Sequence, residues 1–273
     1  MAPTENVPVL AGNVVDTHCH MDISFDDDHQ LATVDEALAN AAAVGVSHVI
    51  QVGCDVESSR NAVRIATAHD NVWATVALHP NAAAHDTHLD ESLIAIRELA
   101  ALPVVRGIGE TGLDYYRTDK DQADKQHISF RAHIDMCKEL GKPLIIHDRD
   151  AHDDVIATLK NYGAPNTVVF HCYSGDAAMA KICADNGWYM SFSGVVTFKN
   201  AQNLRDALVV APDELILVET DSPFLTPAPF RGRPNASELM PFTVRQIAAT
   251  RGQSEELICD LLFSNAARVF GPF

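Results

Sequence analysis

A chain of 273 residues, 47% hydrophobic and 21% charged, is long enough to bury a large core and has ordinary globular composition. Its net charge of −17 disfavours loose adhesion to nucleic acid. That charge does not exclude a nucleic-acid substrate, because divalent cations would reverse the sign locally inside a site.

No apolar run approaches the length that spans a bilayer, and the opening MAPTENVPVLAGN lacks the basic flank and apolar stretch of a secretory signal. The six cysteines are dispersed, with no C-x-x-C pair. Reduced thiols, no cysteine-bound zinc, no membrane association and a cytoplasmic location are therefore expected.

In chain order, short apolar runs alternate with stretches of helical spacing. NVVDTHCH (13–20) precedes VDEALANAAAVG (34–45), which ends on a helix-stopping glycine. SHVIQVG (47–53) precedes DVESSRNAVRIATAHD (55–70), and VWATVALHP (72–80) precedes HLDESLIAIRELAA (88–101). VVRGIGETG (104–112) is followed by a helical stretch over 119–141, and PLIIHDR (143–149) by one over 153–163. TVVFHCYS (167–174) leads to 176–187, WYMSFSG (188–194) to 200–210, and LILVETDSP (215–223) closes the series. A final helix is expected over 254–270.

Most runs are near-continuous in Val, Ile, Leu and Phe, as in strands covered on both faces. Eight strand-helix units without a linker point to an α/β fold, a (β/α)8 TIM-type barrel in one domain with its core at about 13–270. An open doubly wound sheet would need a Gly-rich turn after the first strand, and THCHMD is not one. The proline-rich stretch 224–240, carrying Arg231 and Arg233, reads as a long loop over the barrel mouth or a plain surface connection. An extra helix follows near 238–251.

The ionisable residues gather at the C-terminal ends of these runs: His18 and His20, His79, Glu110, His147, His171, then Glu219 and Asp221. In a barrel those ends share one mouth, where active sites sit. Strand alternation turns His18 and His20 to one face and Cys19 to the other.

Singly, each residue has a plain explanation. An H-x-H pair is often just polar, a lone His147 or His171 fits a satisfied core, Asp221 could start a turn, and Glu110 could pair with Arg106 or Arg149. Their joint placement favours metal. His18, His20, Glu110, His147, His171 and Asp221 are too many for one catalytic zinc and suit two divalent ions (Zn, Mg or Mn) sharing a carboxylate, best supplied by Glu110. His79 exceeds that count and reads as a substrate contact or a structural residue. His29, His69, His85, His88, His127, His133 and His152 read as loop or helix-surface residues, and His48 as the start of a strand.

VVDTHCHMD (14–22), GIGETGLDYY (107–116), PLIIHDRDAHDD (143–154), FHCYSG (170–175) and LILVETDSPFL (215–225) together resemble the TatD family of metal-dependent hydrolases, within the amidohydrolase-like group of barrels. The likeness runs from near residue 14 to the C-terminus. It implies a TIM-type barrel with DNase activity on phosphodiester bonds. It also implies one ion on His18, His20, Glu110 and Asp221, and a second on Glu110, His147 and His171. ALHPN (77–81) is similar to the family's G-x-H-P segment, which implies a place for His79 near the substrate phosphate. Where relatives often read R-G-K-R-N-E-P, this chain reads Arg231-Gly232-Arg233-Pro234-Asn235-Ala236-Ser237, so substrate contacts there do not carry over directly.

The leading expectation is a two-metal phosphodiesterase acting on DNA, with no obligate protein partner and Asp221 as general base. Arg149 and Arg231 could neutralise the phosphate, and each could equally be a surface residue or a carboxylate's partner. Tyr116 and Arg117 could touch a nucleotide, although packing is the plainer reading of Tyr116. A hydrolase of an amide, lactone or aminoacyl ester is the nearest rival, since fold does not fix substrate. A metal-binding scaffold without turnover is a more distant one.

Overall fold

The computed structural model describes residues 7–23 and 32–273. His29 and residues 1–6 of the opening segment lie outside them. The strands are β1 Val14–Cys19, β2 Val46–Gly53, β3 Val72–Val76, β4 Val105–Asp114, β5 Leu144–Arg149, β6 Val168–Phe170, β7 Tyr189–Phe192 and β8 Ile216–Val218. They form one eight-stranded sheet in the order β1 to β8, and Cys19 is bridged in parallel to Ser222 just after β8. This is the strand order of a (β/α)8, TIM-type barrel. The strands are short and almost wholly buried, which is why they read as continuous apolar runs.

Among the described residues ten α-helices accompany the strands: α1 Val34–Ala43, α2 Val56–Ala68, α3 Pro80–His85, α4 Leu89–Ala100, α5 Asp124–Leu140, α6 His152–Thr158, α7 Ala177–Asp185, α8 Gln202–Val210, α9 Met240–Arg251 and α10 Glu255–Phe270. Several begin on side-chain caps. Thr33 and Glu36 make a reciprocal capping box, Asp55 and Ser58 another, and Asp176 and Ser254 cap α7 and α10. Among the described residues no helix is long and apolar enough to cross a membrane. None of the six cysteines forms a disulfide.

The chain forms two compact units. The first takes in the chain up to Ile50, with Gly175–Asn186 and Met190–Phe273; the second is Gln51–Ser174 with Gly187–Tyr189. In the first, β7 and β8 pair in register, Met190 to Ile216 through Phe192 to Val218. In the second, β3 to β6 pair in sequence.

The strand boundaries move several residues from where the sequence sets them. β3 stops at Val76, so His79 does not end a strand; it caps α3, a short helix the apolar pattern does not show, with Pro80 at its first position. β4 runs on to Asp114, so Glu110 sits inside it rather than at its end. The expected helix over 153–163 is α6 closed by a five-residue π turn, Leu159–Gly163.

Candidate metal centre

In the first unit, β1 presents His18 and, one residue past its end, His20. Cys19 faces away, donating from Sγ to the Ile50 carbonyl, as strand alternation requires. Asp221 meets both imidazoles: its Oδ1 lies 3.8 Å from His18 Nε2 and 3.6 Å from His20 Nε2. The two rings pack edge to face at 5.2 Å. Glu219 offers a further carboxylate oxygen within 4.8 Å of a His18 ring nitrogen. Both histidines are buried, and Asp221 is nearly so.

Asp221 adopts φ +54°, a left-handed conformation uncommon outside glycine. Its N–H donates to the His18 carbonyl, and its own carbonyl accepts from Phe224 N–H.

In the second unit, Glu110 is the hub. His79 Nε2 lies 2.9 Å from its Oε1, His147 Nδ1 3.3 Å from the same oxygen, and His171 Nε2 3.4 Å from Oε2. A β-bulge brings Glu110 here. Ile108 pairs with Leu144 but Thr111 with Ile146, so three steps of β4 face two of β5. Gly109 makes the bulge possible: at φ +153° a Cβ would fall 2.3 Å from the Ile145 carbonyl oxygen.

Asp114, four residues beyond Glu110 on β4, backs the cluster. Its Oδ2 lies 3.2 Å from His147 Nε2 and accepts from Asn81 Nδ2, while Oδ1 accepts from Arg117 N–H. Burial alone would raise the Asp114 pKa, yet these partners hold it down at about 2. Burial likewise works to lower the His147 pKa, but its bonds to Asp114 and Glu110 outweigh that and raise it. At His79 burial wins, and the pKa falls despite Glu110.

These donors suit a hard or borderline divalent cation, being imidazole nitrogens and carboxylate oxygens with no thiolate among them. Four ligands at about 2.1 Å in a tetrahedral shell lie roughly 3.4 Å from one another. The separations from Asp221 to His18 and His20 are of that order and too long for hydrogen bonds. Within the second unit, His79, Glu110 and His147 also present ligand atoms within 4.8 Å of one another. His79 thus stands among the donors, whereas the sequence count sets it aside.

The other expected contacts pair arginines with aromatic rings. Arg149 stacks on Tyr116, 3.8 Å from guanidinium to ring centre, and Arg117 lies 5.9 Å from the same ring. Tyr116 is 61% exposed, and its ring packs against the Arg149 guanidinium. Arg231 stacks on Phe198 at 4.0 Å. Arg106, an alternative partner for Glu110, instead lies over Trp73.

His133, read as a helix-surface residue, is wholly buried on α5. It accepts from Leu78 N–H at Nε2 and donates from Nδ1 to the Ser129 carbonyl, and burial lowers its pKa to about 4. Asp16 is compensated by the hydroxyls of Thr220 and Ser237. Asp114 is the functional residue that strand reading passed over. Its signal was alternation: 110, 112 and 114 share one face.

A family model described as TatD related DNase matches residues 15–271. Similar chains include an "Uncharacterized metal-dependent hydrolase TatD" of Mycobacterium tuberculosis, 42% identical, covering 94% of this chain and 98% of that one. The "Uncharacterized metal-dependent hydrolase YcfH" of Escherichia coli K12 is 38% identical, covering 94% and 95%. Among solved structures, YJJV, a TatD homolog from Escherichia coli, matches with a TM-score of 0.86 at 27% identity, covering 95% of this chain and 98% of that one.

Proposed function

Because the chain belongs to the TatD-related DNase family, we propose that it is a divalent-metal-dependent hydrolase cleaving phosphodiester bonds of DNA. The observation that carries this reading is the donor chemistry of two side-chain clusters. Buried imidazoles and carboxylates converge in two groups, one on Asp221 and one on Glu110.

In this reading His18, His20, Glu110 and Asp221 hold one ion and Glu110, His147 and His171 the other, with His79 beside the second set. Bound there, a pair of divalent ions supplies a water of lowered pKa and a Lewis acid for a phosphoryl oxygen. The chain's own residues do the rest. Glu110 is held by His79 and His147 at one carboxylate oxygen and by His171 at the other. Asp221 accepts the proton of the attacking water on its carboxylate. Arg149 and Arg231 neutralise charge on the phosphate, and Tyr116 lies beside the bound nucleotide. The dispersed cysteines, none of them in a disulfide, support a cytoplasmic protein.

The net charge of −17 favours a second reading, the same centre acting on an amide, lactone or aminoacyl ester. One experiment separates the two. Chelator-treated protein is tested on single-stranded and duplex oligonucleotides, cyclic amides and aminoacyl esters, with and without Mg²⁺, Mn²⁺ or Zn²⁺. The expected result is oligonucleotide cleavage that disappears with chelator and returns with metal. Cleavage that persists in excess chelator contradicts the metal reading, and turnover of only the carbonyl substrates moves the function to the second.

A further inference from the structure

Asp16 raises a question that the metal centre does not answer. It is fully buried on the same face of β1 as His18 and His20, yet it is not in the donor set. All its partners lie more than two hundred residues away or on its own strand. Oδ2 accepts from Thr220 Oγ1 at 2.6 Å and from Ser237 Oγ at 2.7 Å. Oδ1 accepts from Thr220 N–H at 2.9 Å and, at 3.4 Å, from His18 N–H.

Thr220 is the residue before Asp221, and it is held from every side. Its hydroxyl oxygen also accepts from Ser222 N–H at 3.2 Å, tying together the two neighbours of Asp221. Its carbonyl accepts from Asn235 Nδ2 at 2.9 Å. Ser222 in turn accepts at its carbonyl from His20 N–H at 2.7 Å. Asp221 is therefore clamped on both sides while its own backbone sits at φ +54°. A residue in that region persists when its surroundings over-determine it.

We propose that Asp16, acting through Thr220, is a positioning brace that sets the Asp221 carboxylate against His18 and His20. One strand then supplies two donors and the brace of the third. The inference rests on the metal-centre reading above. It adds that the ligand geometry at Asp221 depends on a hydroxyl–carboxylate network that touches no ion. Such outer partners characteristically govern metal affinity by 10–100-fold.

The test is a Co²⁺ titration of metal-free wild type, T220V, T220S and D16N, followed by visible absorption, with thermal unfolding midpoints alongside. T220V keeps the shape of the side chain and removes only the hydroxyl. It is expected to weaken one of the two Co²⁺ binding steps by about 10–100-fold and to change its absorption band, leaving the other step in place. T220S restores the hydroxyl and is expected to bind as wild type does; D16N should follow T220V. T220V that binds Co²⁺ with wild-type affinity and spectrum while only its midpoint falls would overturn the brace. If wild type cleaves no DNA but T220V loses the affinity, the substrate reading fails and the brace stands. A wild type that binds no Co²⁺ removes both.

Discussion

The Asp221 cluster and the Glu110 cluster are built from the same chemistry and held in different ways. Around Asp221 the separations to His18 and His20 exceed hydrogen-bond length, and order comes from behind, from Asp16, Thr220 and Ser237. Around Glu110 the donors touch one another: His79 shares hydrogen-bond distances with Glu110 and His147, and His147 with Asp114. The Glu110 donors lie within hydrogen-bond reach of one another, whereas the Asp221 carboxylate is set by the network behind it. A proton bound by the Glu110 cluster competes with a metal ion for the same lone pairs. The two halves should therefore differ in how metal binding depends on pH.

The largest expected effect comes from the shared carboxylate. E110Q removes the charge on which His79, His147 and His171 converge. Phosphodiester turnover should fall by about 10³-fold or more, as befits loss of both charge stabilisation and a metal ligand. Steady-state kinetics with saturating metal reads this. Turnover within tenfold of wild type would show that Glu110 is not the hub.

Next in size is the pH dependence of stability, where the two regions pull in opposite directions. His133 must stay neutral to accept from Leu78 and donate to Ser129, and its folded pKa of about 4 lies below the ordinary 6.5. The unfolded chain takes up that proton first as pH falls. The contribution is thus present above pH 6.5 and lost towards pH 4, a change of about 3 kcal/mol. Asp16 is the reverse. Burial, only partly offset by Thr220 and Ser237, raises its pKa from 3.8 to about 6. The folded state binds that proton first, so stability falls as pH rises from 4 to 6, again by about 3 kcal/mol. In metal-free wild type the two slopes oppose each other between pH 4 and 6. Denaturant unfolding of H133Q across that window should lose the rise that His133 contributes, so its stability falls more steeply with rising pH than that of wild type. An H133Q profile parallel to that of wild type would contradict the assignment of His133.

A smaller effect sharpens the comparison. D114N keeps the shape of the residue behind His147 and removes its charge, so metal affinity at the Glu110 side should drop by about 10–100-fold while the Asp221 side is spared. Calorimetric metal titration resolves the two steps. An equal loss at both would mean that the clusters do not have separate supports.

Much of this was legible in the sequence, for reasons that differ by residue. The two-residue period of β1 placed His18 and His20 together and sent Cys19 away, because strand alternation needs no tertiary knowledge. The positions of His147 and His171 followed from apolar runs that stop at polar residues. His79 was harder, since Pro80 starts a helix where the pattern suggests continuing strand. Glu110 depends on a bulge at Gly109, and a bulge shifts register without leaving a compositional trace. The partners of Asp16 lie 204 and 221 residues away, beyond any local rule. His133 fits a helical period equally well on either face until α5 is packed.

The central claim is that these donors hold divalent ions, and counting them tests it most directly. Metal-free protein equilibrated with Zn²⁺ or Mn²⁺, dialysed and analysed for metal content should retain about two ions per chain, and fewer after the E110Q substitution. Wild type that retains none, or E110Q that retains as many as wild type, would contradict the account.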